Sequence, residues 1–229
     1  MPATQDPLTL TGVAGVLFDL DGTLVDTAPD LVQALNLALA DAGFDSQPLA
    51  TLRHAASHGS LALVRAALPH AEADMQHRVQ TGLLAHYQRI NGDHSSLFAG
   101  VPELLALLEQ QQRPFGIITN KPARFTRPLL DKLALTPRLD CIISGDSTRF
   151  AKPHTAPMLL GAQQLGHAPG RLLYIGDAER DLVAAQNACM QGAIALWGYI
   201  GAGDDPLNWP AIARFARPQA VTTALSFKD

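Results

Sequence analysis

A chain of 229 residues, 47% of them hydrophobic, carries enough apolar material for one substantial core plus a smaller companion domain, which excludes a disordered polypeptide. Its formal charge of -4 excludes the broad basic surface of a general nucleic-acid binder, so an anionic ligand has to be met by local positive groups. The two cysteines, Cys141 and Cys189, each sit in an apolar segment, which predicts no disulfide scaffold and fits a reducing compartment.

The N-terminal stretch MPATQDPLTL has no basic start followed by a long apolar run. Neither a signal peptide nor a membrane span is expected, and the predicted location is the cytoplasm. Residues 13–20 then form a nearly continuous apolar run of strand length, the pattern of a parallel strand covered on both faces. The run closes as VLFDLDGT, placing Asp19 and Asp21 two residues apart before Gly22 and Thr23. Asp-Gly is also ordinary turn chemistry, and the pair alone reads as a strand-end turn.

Residues 27–96 change the pattern, with helical stripes in succession and no convincing strand. The segment opens with Asp26-Thr27-Ala28-Pro29, a cap-and-proline helix start, and spaces Leu31, Leu35 and Leu39 four apart before Gly43. A second stripe runs Met75, Val79, Leu83 and on to Tyr87. Strand-like runs resume at residues 115–119, 141–144, 172–176 and 193–197, separated by helical patterns at 102–108 and 181–190. The expected fold is therefore α/β: a Rossmann-like parallel sheet core, residues 1–26 and 97–229, carrying an inserted helical cap at 27–96.

In such a sheet the polar residues at the carboxyl ends of the strands converge on one edge. Here those are Asp19 and Asp21, then Thr119-Asn120-Lys121, then Asp177, with Lys152-Pro153 following the run through Ile143. Crowded carboxylates suit a hard cation, and magnesium takes oxygen ligands together with phosphate and water. No cysteine-histidine cluster points to zinc. With Lys152 and the cation holding a phosphoryl group, Asp19 is free to attack phosphorus. Asp21, beyond the strand end, is placed to protonate the leaving oxygen and later to deprotonate water. Gly22 permits the turn, and Thr23 supports the loop.

VLFDLDGT, the strand ending IITN, Lys152-Pro153 and IGDAERD resemble the four ordered signatures of the haloacid dehalogenase superfamily, and the helical insert resembles its C1 cap. The resemblance implies a nucleophile at Asp19, a general acid/base at Asp21, phosphate contacts through Thr119 and Asn120, and charge neutralisation by Lys152. It implies Mg2+ held by Asp19, the backbone carbonyl of Asp21, and Asp177, with Asp181 in support. Ala178 occupies a position where relatives often carry a polar residue. The second aspartate separates the chain from the dehalogenases, and a cap without lysine separates it from phosphonate-cleaving relatives. The expected activity is magnesium-dependent hydrolysis of a small phosphorylated metabolite, with no nucleic-acid, membrane or protein partner.

LFAGVPELL, ITNKPARF and GYIGAGDDPLNW further resemble the phosphoglycolate phosphatase group and its branch acting on N-acetylmuramic acid 6-phosphate. A mutase that returns the phosphoryl group to its substrate, and a non-catalytic phospholigand module, are the alternatives from other classes. In the insert, His54 and His58 lie four apart, the spacing of a shared helix face. His58-Gly59-Ser60 precedes an apolar helical run whose first amides suit an anion. His54, His58, Gly59 and Ser60 are thus candidate substrate contacts, with solvated histidines as the plainer reading.

Overall fold

The computed structural model describes residues 10–225, so the expectation for the N-terminal stretch falls almost entirely outside the described residues. In chain order, β1 (Gly15–Phe18) leads through the short β2 (Val25–Asp26) into α1 (Ala28–Asp41), α2 (Leu49–Leu52), a 3-10 turn at Arg53–His58, α3 (Ser60–Ala67) and α4 (Ala73–Ile90). The chain returns through β3 (Ser96–Leu97) to α5 (Val101–Gln110), β4 (Phe115–Ile118), α6 (Ala123–Lys132), β5 (Cys141–Ile143) and α7 (Ala156–Leu165). It finishes with β6 (Leu172–Gly176), α8 (Glu179–Asn187), β7 (Gln191–Ala195), β8 (Ala213–Phe215) and α9 (Pro218–Ala224).

Six strands form one parallel sheet in the order β5-β4-β1-β6-β7-β8, with β1 pairing β4 on one side and β6 on the other. Strand alternation sorts the apolar runs into two layers. Val16, Phe18, Ile117, Leu173 and Ile175 face a layer of α5, α6 and α9 that includes Leu104, Leu108, Leu129 and Val221. Leu17, Ile118, Leu172 and Tyr174 face α7 and α8 through Met158, Ala162, Leu165, Ala184 and Ala185. Both faces are covered, which is why the strands read as continuous apolar runs. Chain order reverses around β1, so the crevice beyond its carboxyl end is the switch point where such sheets bind ligands.

Several expected boundaries move for local reasons. The first strand stops at Phe18 because the Leu20 carbonyl accepts the amides of Thr23, Leu24 and Val25 and turns the chain. The last long strand runs 191–195 rather than 193–197, since the Trp197 indole has turned back to donate to the Thr23 carbonyl at 2.9 Å. The helix expected at 181–190 starts at Glu179 because Asp181, in its first turn, reaches back to the Ala178 amide at 3.1 Å. Strand β8 and helix α9 carried too few periodic residues to be expected.

The insert has its own apolar cluster, in which Leu35 and Leu39 of α1 pack with Val79, Leu83 and Tyr87 of α4. Gly82 lets the two helices approach, since a Cβ there would lie 3.2 Å from that of Ala38. Entry and exit run side by side as the antiparallel pair Val25↔Leu97 and Asp26↔Ser96. The fully buried Asp30 carboxylate reinforces the junction, accepting the amides of Gly92, His94 and Ser95 and the Ser95 hydroxyl. Among the described residues no helix is long and apolar enough to cross a membrane.

Candidate active site

The carboxyl ends of β1, β4 and β6 bring Asp19, Thr119 and Asp177 to one edge, and the first turn of α8 adds Asp181. All three aspartates are buried, and each offers an oxygen within 4.8 Å of the others. Lys152, its side chain fully enclosed, reaches Asp19 Oδ1 at 2.9 Å and Asp181 Oδ1 at 2.8 Å. Its ammonium also lies 2.8 Å from the Ile118 carbonyl and 2.7 Å from the Tyr174 hydroxyl. Asp177 accepts the Thr23 hydroxyl at 3.1 Å and the Tyr199 amide at 2.9 Å. Gly22 has to be glycine here: its φ is +83° and a side chain would collide with the Asp177 carboxylate.

Three buried carboxylates lie around one ammonium, which contacts Asp19 and Asp181, and the excess of negative charge shows at Asp19 and Asp177. Burial, together with the Asp181 charge, pushes Asp19 up to about 6 even though Lys152 and Arg180 oppose the rise. Burial and the charges of Asp19 and Asp181 push Asp177 up to about 7. The uncompensated charge, the all-oxygen donor set and the spacing fit a hard divalent cation.

Asp21 stands at the cavity edge, where its Oδ1 accepts the Thr27 hydroxyl at 2.5 Å and the Lys121 ammonium at 2.8 Å. Both contacts use Oδ1, which leaves Oδ2 for a substrate oxygen or a water. Burial works against the charge on Lys121, but the Asp21 carboxylate and the Tyr87 oxygen outweigh it and hold the pKa above its ordinary value. Thr119 is buried on the cavity wall, its hydroxyl accepting the Lys121 amide at 3.1 Å. The Asn120 side chain clasps the Lys152 backbone, donating to its carbonyl and accepting its amide, each at 2.9 Å. Its side chain thus positions the lysine.

A cavity of about 530 Å³ opens over this edge, lined from the core by Asp19, Asp21, Thr119, Asn120, Lys121 and Arg124. The insert lines it with Leu31, Leu63, Leu84, Tyr87 and the turn Ser57-His58-Gly59-Ser60. His54 does not line it and lies against Gly201 instead. The expected shared helix face is corrected by the local geometry: the two histidines occupy a 3-10 turn, where residues four apart point about 120° away from each other. Partial burial and the Arg180 cation hold the His58 pKa below its ordinary value.

Several side chains at the site carried little sequence signal. Arg180 lies between two motif aspartates and crosses to the insert, donating to the Ser57 carbonyl at 2.7 Å and its hydroxyl at 3.2 Å. The Ser57 hydroxyl lies 3.4 Å from Asp177 Oδ2, so a polar group from the insert faces the carboxylate that Ala178 cannot reach. Tyr199 joins the site to the junction, its amide on Asp177 and its hydroxyl 2.8 Å from Asp26. The signal for Lys121 was its place directly after the strand-end pair. For Tyr199 there was none.

Comparison with known proteins gives three kinds of likeness. A family model described as haloacid dehalogenase-like hydrolase matches residues 16–195. A phosphoglycolate phosphatase of Xanthomonas campestris pv. campestris is 39% identical over 203 residues, covering 89% of this chain and 92% of that one. An N-acetylmuramic acid 6-phosphate phosphatase of Pseudomonas putida is 37% identical over 197 residues, covering 86% and 88%. The crystal structure of a "predicted phosphoglycolate phosphatase" from Haemophilus somnus superposes with a TM-score of 0.82 at 24% identity, covering 93% of this chain and 98% of that one. At that identity the last likeness establishes the fold alone.

Proposed function

The chain belongs to the haloacid dehalogenase-like hydrolases and is a phosphatase of that family, and on that premise we propose that it hydrolyses N-acetylmuramic acid 6-phosphate with magnesium through an aspartyl-phosphate. The observation that carries the reading is the buried carboxylate trio, two of whose members Lys152 bridges, beneath a cavity of about 530 Å³. Small-molecule sites occupy roughly 300–1,000 Å³, and an amino-sugar acid phosphate uses such a space where a two-carbon acid fills only a small part of it. Phosphoglycolate is the second reading, favoured by the 39% identity to the Xanthomonas relative. Both molecules are carboxylic acids as well as phosphomonoesters.

The residues divide the work as follows. Asp19, Asp177 and Asp181, with the Asp21 carbonyl, would hold Mg2+, which supplies charge stabilisation to the phosphoryl oxygens when bound. Lys152 and Thr119 orient the phosphoryl group over Asp19. The Asp19 oxygen not held by Leu20 and Lys152 attacks phosphorus, the bond to the ester oxygen breaks, and Asp21 Oδ2 gives that oxygen its proton. Asp21 then takes a proton from water as the water attacks phosphorus, breaking the bond to Asp19 and releasing inorganic phosphate. The helical insert, residues 27–96, acts as a cap that contacts the organic part and keeps bulk water out.

The test is phosphate release from N-acetylmuramic acid 6-phosphate and phosphoglycolate by purified protein, with chelator and with magnesium restored. Magnesium-dependent release, with the larger kcat/KM for the amino-sugar ester, is expected. A larger value for phosphoglycolate replaces the substrate, and release that chelation leaves untouched sinks the metal.

A further inference from the structure

Tyr87 lies on α4 with only 1% of its surface exposed, lining the cavity. Its ring packs on Phe125 at 5.4 Å between centroids and lies under the Lys121 ammonium at 4.7 Å, contacts that a phenylalanine would make equally well. Its oxygen faces the Lys121 ammonium, which can donate to it, but its own buried proton meets no acceptor. A buried donor without an acceptor opposes folding, and it is tolerated where a ligand completes it. Burial pushes the hydroxyl up to about 12, so it stays protonated and can donate.

Arg124 continues the same wall. Its guanidinium lies over the other side-chain ring of the pair, 4.7 Å from the Phe125 centroid, and it too lines the cavity. The other lysine and arginine cations at the site have carboxylates to answer them: Lys121 has Asp21, Lys152 has Asp19 and Asp181, and Arg180 is under the field of all three buried aspartates. Arg124 forms no ion pair among the described residues. A donor hydroxyl and a solvent-exposed guanidinium without an ion pair, joined through one aromatic ring, suit a planar anionic acceptor.

We propose that Tyr87 and Arg124 form a subsite for a carboxylate on the organic part of the substrate, making them the residues that select acid-bearing phosphomonoesters. The inference rests on the phosphatase reading and deepens it. One subsite serves either candidate, because the lactyl ether of the amino sugar and the glycolyl group both present a carboxylate.

The experiment compares kcat/KM within two matched pairs: N-acetylmuramic acid 6-phosphate against N-acetylglucosamine 6-phosphate, and phosphoglycolate against 2-hydroxyethyl phosphate. The second pair differs in the carboxylate alone, and the first in the lactyl ether that carries it. Wild type is expected to prefer the acid of one pair at least about tenfold, and the pair that shows the preference identifies the source. Tyr87→Phe and Arg124→Gln, checked for unchanged melting, should each reduce that preference by about fivefold or more, through the acid rather than its neutral partner. A preference that both variants keep, or hydrolysis without preference in either pair, overturns the subsite and leaves the phosphatase standing. If wild type releases phosphate from none of the four esters, the phosphatase reading falls and the subsite with it.

Discussion

Beneath the cavity, Asp19, Asp177, Asp181 and Lys152 form one buried cluster tied by hydrogen bonds and ion pairs, held by the ends of two strands, one helix turn and the loop after β5. The wall contributed by the insert sets Leu31, Ala56, Leu63 and Leu84 beside the turn at 57–60 and Tyr87, whose hydroxyl proton has no acceptor. The floor is therefore built to take a cation, whereas the wall is left to meet the organic part of a ligand. Chemistry common to all phosphomonoesters belongs to the first region and choice among them to the second. Substitutions on the floor should damage every substrate alike, and those on the wall should change ratios.

The largest effect expected on the floor is that of Asp19→Asn, which keeps the shape and removes the proposed nucleophile. Turnover of any phosphomonoester should fall by on the order of 10⁴-fold or more, in protein whose circular dichroism is unchanged. Activity near wild type in a sequence-verified sample would break the division at its root. Asp21→Asn comes next, with a loss of about 10²–10⁴-fold typical of a general acid/base. The loss should shrink for a substrate with an acidic leaving group such as an aryl phosphate, and an equal loss across leaving groups would contradict proton donation.

Asn120→Ala sharpens the comparison, because Asn120 acts through Lys152. Loss of the clasp should lower kcat by roughly tenfold for all substrates while sparing their ratios, since a misplaced ammonium weakens charge stabilisation uniformly. A change in substrate ratio would move Asn120 into the recognising region.

The smallest expected effect concerns stability. Asp177 is raised from 3.8 to about 7 by burial and its like-charged neighbours, so its ionisation opposes folding. That penalty is absent below the unfolded value, grows as pH rises through the window from 3.8 to about 7, and is full above it. In chelator, Asp177→Asn should therefore melt a few °C above wild type at pH 8, with the difference fading toward pH 4. A calorimetric series in which the variant is less stable throughout would mean that its hydrogen bonds to Thr23 and Tyr199 outweigh the charge.

The two regions also differ in how far they could be read from the residues. Asp19, Asp21 and Asp177 sit where an apolar run meets a turn, so those runs announced both the strand and its end, whereas Lys152 lies in the loop after β5 and was legible only through its motif. Lys121 and Arg180 stand inside those motifs, but their partners, Asp21 and Ser57, are settled by tertiary packing that no spacing encodes. Tyr87 falls on the apolar stripe of α4 and is indistinguishable there from a core residue. That its proton lacks an acceptor is visible only once Phe125 and Lys121 surround it. The histidine pair shows the opposite error, a spacing with helical meaning placed in a 3-10 turn where that meaning lapses.

The division between floor and wall depends on Asp19 carrying the phosphoryl group, and that can be seen directly. Asp21→Asn, slowed in hydrolysing the intermediate, is mixed with excess phosphomonoester and magnesium, quenched in acid, digested at low pH and examined by peptide mass spectrometry. The account predicts a peptide containing residues 16–23 heavier by one phosphoryl group, with the modification on Asp19 and absent when Asp19→Asn is added to the same protein. Phosphate release without any phosphorylated peptide, or a phosphoryl group found on another residue, would contradict it.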